Sequence, residues 1–258
     1  MSTTTTHAGT RLRRVATSQG EVELPIRYWD VSTAVALFTV SAQPARELVA
    51  PIGVEPIPLG GQRALAAMVF YEYRHTSVGI YNEVGLTVAG VPPGTPGWRL
   101  ATDPLRAVRR RNLGWAVLDL PVTTERANAA GREIWGYPKF VTDIPIRFTP
   151  QSFHGQVRDP SGDEAIVTLE GTMGSGLPGP RIDLVTYTTH EDTTWRTVVD
   201  VRGRFRVHRG SGLRLDVGAS THPMAQRLRT LGLVNARPAA VLITHDWRSL
   251  LHGGAPLQ

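Results

Sequence analysis

Glycine and proline interrupt this chain so densely, 26 and 19 of its 258 residues, that apolar patterns run only briefly before they break. Segments of that length, rich in Val and Ile and bounded by turn formers, build strands rather than long helices. Residues 35–40, 64–73, 78–88 and 114–120 read as strands, and 144–148, 154–158 and 165–171 continue the pattern. Asp159-Pro160-Ser161-Gly162-Asp163 is a turn, so the last two segments form a hairpin. Residues 198–207 alternate cleanly, with Val199, Val201, Gly203, Phe205 and Val207 on one face and Asp200, Arg202, Arg204 and Arg206 on the other. Residues 239–244 close the series. Two helices are expected. Thr124 caps residues 125–130, which Gly131 ends, and Thr221 caps a helix reaching Arg229 with Pro223 in its first turn. Residues 91–103 carry three prolines and two glycines and read as a loop. Many short strands with few helices imply a mainly β (α+β) fold, a largely antiparallel barrel or sandwich with peripheral helices. A closed barrel of this size encloses a cavity.

The length suits one substantial domain. Residues 1–20, rich in Thr, Ser and Arg, read as a flexible tail, leaving residues 21–258 as a single domain. No apolar run approaches the roughly 18 residues a membrane span requires, and no hydrophobic segment follows Arg13-Arg14, so neither a membrane nor a secretory signal is expected and the location is cytoplasmic. The absence of cysteine removes disulfides and thiolate chemistry. The net charge is +6, but the arginines are scattered apart from Arg11 to Arg14 and Arg109 to Arg111, which reads as solvated faces rather than a nucleic-acid surface.

Among 28 basic residues there is one lysine, Lys139. A guanidinium stays charged, whereas a buried amine loses its proton and becomes a nucleophile. Lys139 follows Pro138 and lies among Ile134, Trp135, Tyr137, Phe140 and Val141, a setting that disfavours the ammonium. A free amine adds to a ketone or aldehyde and loses water to give an imine, whose protonated form accepts electrons from a breaking C–C or C–H bond. The plain structural role is a stem packed on apolar surface with its head in water.

Gly131-Arg132-Glu133 followed by Gly136-Tyr137-Pro138-Lys139 resembles the acetoacetate decarboxylase family, in which the lysine of the Tyr-Pro-Lys step forms the Schiff base. Gly79-Ile80-Tyr81-Asn82-Glu83 is similar to the segment carrying the family's active-site acid. His222-Pro223-Met224-Ala225, leading to Leu228 and Gly232-Leu233, is a third match. Together they extend from about residue 25 to the end. The resemblance implies an antiparallel barrel or cone of acetoacetate decarboxylase type and a homo-oligomer, with Lys139 and Glu83 as catalytic residues. Three positions depart from the family pattern. Phe140 stands where a second lysine is usual, Met68 where a second pocket glutamate falls by register, and Ser32 near the place of an arginine. Phe140, Met68 and Tyr81 are accordingly expected to shape a less polar pocket.

Other polar groups carry less. His190, Glu191 and Asp192 lack a second histidine at metal-site spacing. His75, His208 and His245 stand alone. Ser211 and Ser220 lack a nucleophile-elbow context, and Gly174-Ser175-Gly176 lacks the partners of a phosphate loop. No metal and no cofactor are expected. The leading expectation is a cofactor-independent Schiff-base lyase acting on a small-molecule carbonyl substrate, by aldol or dehydration chemistry or by decarboxylation of a β-keto acid. The competing readings are a non-catalytic barrel that binds an apolar small molecule and non-covalent acid/base catalysis by Glu83.

Overall fold

The computed structural model describes residues 5–7 and 10–257. Its centre is a barrel whose seven strands close in chain order. These are β1 (Ile26–Ser41), β2 (Arg63–Thr76), β3 (Tyr81–Val91), β4 (Gly114–Asp119), β5 (Leu184–His190), β6 (Thr193–Arg202) and β7 (Ala240–Leu251). Each strand pairs with the next, and β7 returns to β1 with Ala240 opposite Leu37 and Leu251 opposite Ile26. One joint departs from the antiparallel expectation. β4 and β5 run parallel, with Trp115 opposite Thr186. Parallel neighbours need a long crossover, and residues 120–183 supply it.

Strand periodicity divides the side chains between two cores. On β2, Ala67, Val69, Tyr71 and Tyr73 face the barrel interior, while Ala64, Ala66, Met68 and Phe70 face outward into a second core. That second core lies beneath a four-stranded sheet ordered Leu213–Val217, Ala165–Thr172, Ser152–Arg158 and Ile146–Phe148. Phe70 meets Phe153 edge-on at 5.3 Å. The barrel wall is thus buried on both faces, each fully buried Leu, Val or Phe contributing about 1.5–3 kcal/mol.

Among the described residues four helices decorate this frame: α1 (Ala42–Val49), α2 (Gly97–Thr102), α3 (Glu125–Trp135) and α4 (Pro223–Thr230). Helix α2 lies within the segment read as a loop. Its prolines precede it, where a missing N–H costs nothing. The N-cap of α4 is His222 rather than Thr221, its ring nitrogen accepting from the Met224 N–H at 3.2 Å. The alternating run 198–207 is broken after Arg202, because Gly203 passes close to the Asp246 carbonyl where a Cβ would stand 2.6 Å from the oxygen. Val199, Val201 and Phe205 still share one core.

Much of the expected tail is ordered. Arg13 to Thr17 pair with Gly20 to Leu24 in a hairpin that buries Leu12, Val22 and Leu24. Short alternation around a Gly20 at φ 98° is enough for a hairpin when a hydrophobic surface lies below it. Residues 1–4, 8 and 9 of that stretch lie outside the described residues. Among the described residues no helix is long and apolar enough to cross a membrane.

Candidate active site

Lys139 and Glu83 come from segments that flank residues 120–122 on either side, and their side chains meet. The Lys139 Nζ donates to Glu83 Oε2 at 2.5 Å, and both residues are buried, 7% and 6% exposed. Glu83 is placed by β3. The preceding turn is held by Thr76, whose hydroxyl donates to the Gly79 carbonyl at 2.7 Å, and Gly79 takes φ 108°. Tyr81 and Glu83 then face inward. Asn82 faces outward and locks the strand, its amide donating to the Ile144 carbonyl at 2.8 Å.

Lys139 is placed by α3 and the chain that leaves it. Thr124 caps the helix as expected, accepting from the Ala127 N–H at 3.4 Å. Gly131 does not end it. The helix continues to Trp135 and stops at Gly136, which takes φ 63°. The Gly136 and Tyr137 N–H groups donate back to the carbonyls of Arg132 and Gly131, each at 3.1 Å. The chain then runs beside residues 120–122, with Leu120 N–H on the Pro138 carbonyl at 3.1 Å and Val122 N–H on the Phe140 carbonyl at 2.9 Å.

This arrangement assigns a physical task to each residue of Gly131-Arg132-Glu133. Gly131 leaves the space in which the lysine stem lies. A Cβ there would fall well inside contact distance of Lys139 Cδ and Cε and 3.2 Å from Nζ. The Arg132 guanidinium donates to the Lys139 carbonyl at 2.8 Å. Glu133 accepts from the Ser18 N–H at 2.9 Å and its hydroxyl at 2.5 Å, which ties the N-terminal hairpin over the helix.

The pair lies in the barrel's interior cavity of about 180 Å³. For scale, an engineered apolar cavity of about 150 Å³ takes up benzene. Five tyrosines line it: Tyr28, Tyr71, Tyr73, Tyr81 and Tyr137. The Tyr73 hydroxyl donates to Glu83 Oε1 at 3.3 Å, so both oxygens of the acid are engaged. The hydroxyls of Tyr28 and Tyr81 pair at 3.4 Å, and those of Tyr137 and Thr186 at 2.7 Å. Burial pushes all five phenols upward and the charge of Glu83 adds to the shift, so they are neutral. Tyr28, Tyr71 and Tyr73 escaped the sequence reading. Their signal is positional, since Tyr71 and Tyr73 share one face of an alternating strand and Tyr81 follows across the turn.

Two expected pocket residues are elsewhere. Met68 faces the second core, one residue out of register with the inward Ala67 and Val69. A slip of one position moves a strand residue to the opposite face. Phe140 also packs against the second core, its ring 4.4 Å from that of His222. It follows Lys139 in an extended segment, so the two side chains diverge. Ser32 is likewise outside the cavity, bonded to His245 Nδ1 at 2.8 Å and to Arg74 at 2.6 Å. Tyr81 does line the cavity, its ring centroid 5.8 Å from the lysine nitrogen. Among the described residues no cluster of three or more potential ligands is arranged to hold a metal.

Solved structures share this architecture at low sequence identity. An acetoacetate decarboxylase from Legionella pneumophila subsp. pneumophila str. Philadelphia 1 is 15% identical with a TM-score of 0.64, over 91% of this chain and 87% of that one. An acetoacetate decarboxylase-like enzyme from Sphingomonas wittichii RW1 is 12% identical with a TM-score of 0.64, over 92% and 94%. The enduracididine biosynthesis enzyme MppR, solved with the condensation product of pyruvate and imidazole 4-carboxaldehyde, is 14% identical with a TM-score of 0.64, over 91% and 90%. No curated protein matches the chain in sequence. The sequence model of the family described as acetoacetate decarboxylase (ADC) matches residues 14–210, which bears out the resemblance read from the motifs. By that match, over more than half its length, the chain belongs to the acetoacetate decarboxylase family.

Proposed function

We propose that the protein is a Schiff-base enzyme that processes a small carbonyl compound on Lys139, with Glu83 as its proton carrier. The observation that carries this reading is the buried Lys139–Glu83 contact at 2.5 Å inside an apolar cavity. By handing its proton to Glu83, Lys139 becomes an uncharged amine without help from solvent. The amine nitrogen bonds to the carbonyl carbon as the C=O π pair moves to oxygen, and that oxygen takes a proton from the newly bonded nitrogen. Glu83 returns a second proton to that oxygen, the C–O bond breaks, water leaves and a protonated imine stays. Glu83, now ionised, removes a proton from the adjacent carbon to give the enamine. Tyr73, donating to the other oxygen of Glu83, holds the acid in place through these exchanges.

MppR's complexes with pyruvate and with a condensation product support carbonyl chemistry in this fold. For this chain the enamine leads to aldol, dehydration or decarboxylation chemistry according to what the substrate carries next to the new bond. The test is trapping. Incubation with a panel of neutral and carboxylated ketones and aldehydes, followed by borohydride, is expected to leave a reduced adduct on the peptide containing Lys139. Lys139→Ala is expected to lose it. No adduct at Lys139 with any member of the panel would refute the reading and leave a barrel that binds apolar molecules without reacting.

A further inference from the structure

The cavity wall has an unusual division of aromatic residues. Five of the chain's six tyrosines and three of its six tryptophans line it, and none of its six phenylalanines does. Rings with polar tips therefore face the ligand space, while the purely apolar rings fill the protein's own cores. Those polar tips are largely occupied. The hydroxyls of Tyr28, Tyr73, Tyr81 and Tyr137 bond to one another, to Glu83 or to Thr186. Among the described residues Tyr71 alone of the five has a hydroxyl without a protein partner, while its ring lies parallel to Tyr73 at 5.2 Å and meets the Trp247 ring edge-on at 5.5 Å.

Charge is the second observation. Among the described residues the charged ones lining the cavity are Glu83 and Lys139 alone, and each is the other's partner. Among the described residues no arginine or histidine lines it. The nearby guanidiniums are committed elsewhere: Arg27 to Glu23 at 2.9 Å, and Arg132 to the Lys139 carbonyl at 2.8 Å. Once Lys139 is an imine and Glu83 is ionised, their charges balance. A carboxylate brought in by the substrate would then be a buried, unpaired anion beside a second one, which is strongly disfavoured.

Resting on the Schiff-base reading above, we infer that the substrate is a neutral carbonyl compound with an aromatic or otherwise conjugated body. Its carbonyl reaches Lys139, its planar body lies along the tyrosine and tryptophan wall, and its single distal polar group meets Tyr71. Loss of carbon dioxide is excluded for such a substrate, so the enamine serves aldol-type bond making or breaking, or loss of a β-hydroxyl as water.

Matched pairs test this with the intact protein. Benzylideneacetone is compared with para-carboxybenzylideneacetone, and acetone with acetoacetate, each followed by borohydride and peptide mapping at Lys139. The neutral member of each pair is expected to label at least about tenfold faster than its carboxylated partner. Equal or faster labelling by the carboxylated members overturns the neutral-substrate inference while leaving Lys139 as an imine former. An absence of labelling by all four overturns both. Tyr71→Phe is expected to slow trapping of para-hydroxybenzylideneacetone several-fold more than that of benzylideneacetone, and an equal effect on the two removes Tyr71 as the distal contact.

Discussion

Replacing Gly131 by alanine separates holding the lysine from holding the fold. Ordinary carbon–carbon contact is about 3.5–4.0 Å, and the added Cβ would sit well inside that distance from Lys139 Cδ and Cε. The stem must therefore move by about 1 Å or more, and the amine moves with it, away from a 2.5 Å contact with Glu83. A misplacement of about 1 Å in a reacting group costs on the order of a hundredfold in rate. Stability responds differently. Alanine gains about 1 kcal/mol over glycine within a helix, and overpacking costs about 1–3 kcal/mol, so folding is weakened by roughly 0–2 kcal/mol. Gly131→Ala is thus expected to melt within a few degrees of the parent and to trap ketones about a hundredfold more slowly. The assay pairs thermal melting with the rate of borohydride-trapped adduct formation. A folded variant that traps at the parent rate would refute the claim that the glycine positions the amine.

Further outcomes follow from the same geometry. Glu83→Gln keeps the shape and an acceptor for Lys139 but cannot carry the proton, and trapping should slow by about 10²–10⁴-fold, measured by the same adduct assay. Phe140→Leu touches only the second core, so it should lower the melting temperature while leaving the trapping rate unchanged. Burial pushes Asp119 up from 3.8 to about 7, against the pull of Arg227 2.7 Å away. The folded protein then keeps a proton that the unfolded chain has lost, so stability should fall as pH rises from about 4 to 7. Asp119→Asn should flatten that dependence in melting curves taken across the range. Self-association, expected from the family resemblance, is checked by light scattering.

The local signals in the sequence survived best. Alternation at Val199, Val201 and Phe205 identified one face correctly even though the strand breaks at Gly203, because the break is a close approach to Asp246 and not a change of face. Lys139 and Glu83 were legible because their motifs pair a chemical group with backbone formers that aim it. Long-range register was not legible. Counting back from Glu83 to Met68 crosses a turn, and nothing in the sequence fixes which of two adjacent residues points inward. Gly131 misled for a related reason. A glycine near a helix end is usually a stop, and only the folded molecule shows a lysine stem lying across it. Ser18 and Glu133 belong to segments over a hundred residues apart, so the hairpin's attachment to α3 has no local signature.

The closure of the barrel in chain order has a consequence for the order of folding. The cavity wall is complete only when β7 joins β1, a pairing between the two ends of the chain that carries a large loop-closure cost. Lys139 and Glu83 lie in the middle and can come together earlier, but a partly folded chain has no enclosed space around them. The enclosed apolar setting of the Lys139–Glu83 pair is therefore completed only by the last strand, and the reactivity proposed for Lys139 depends on the whole barrel.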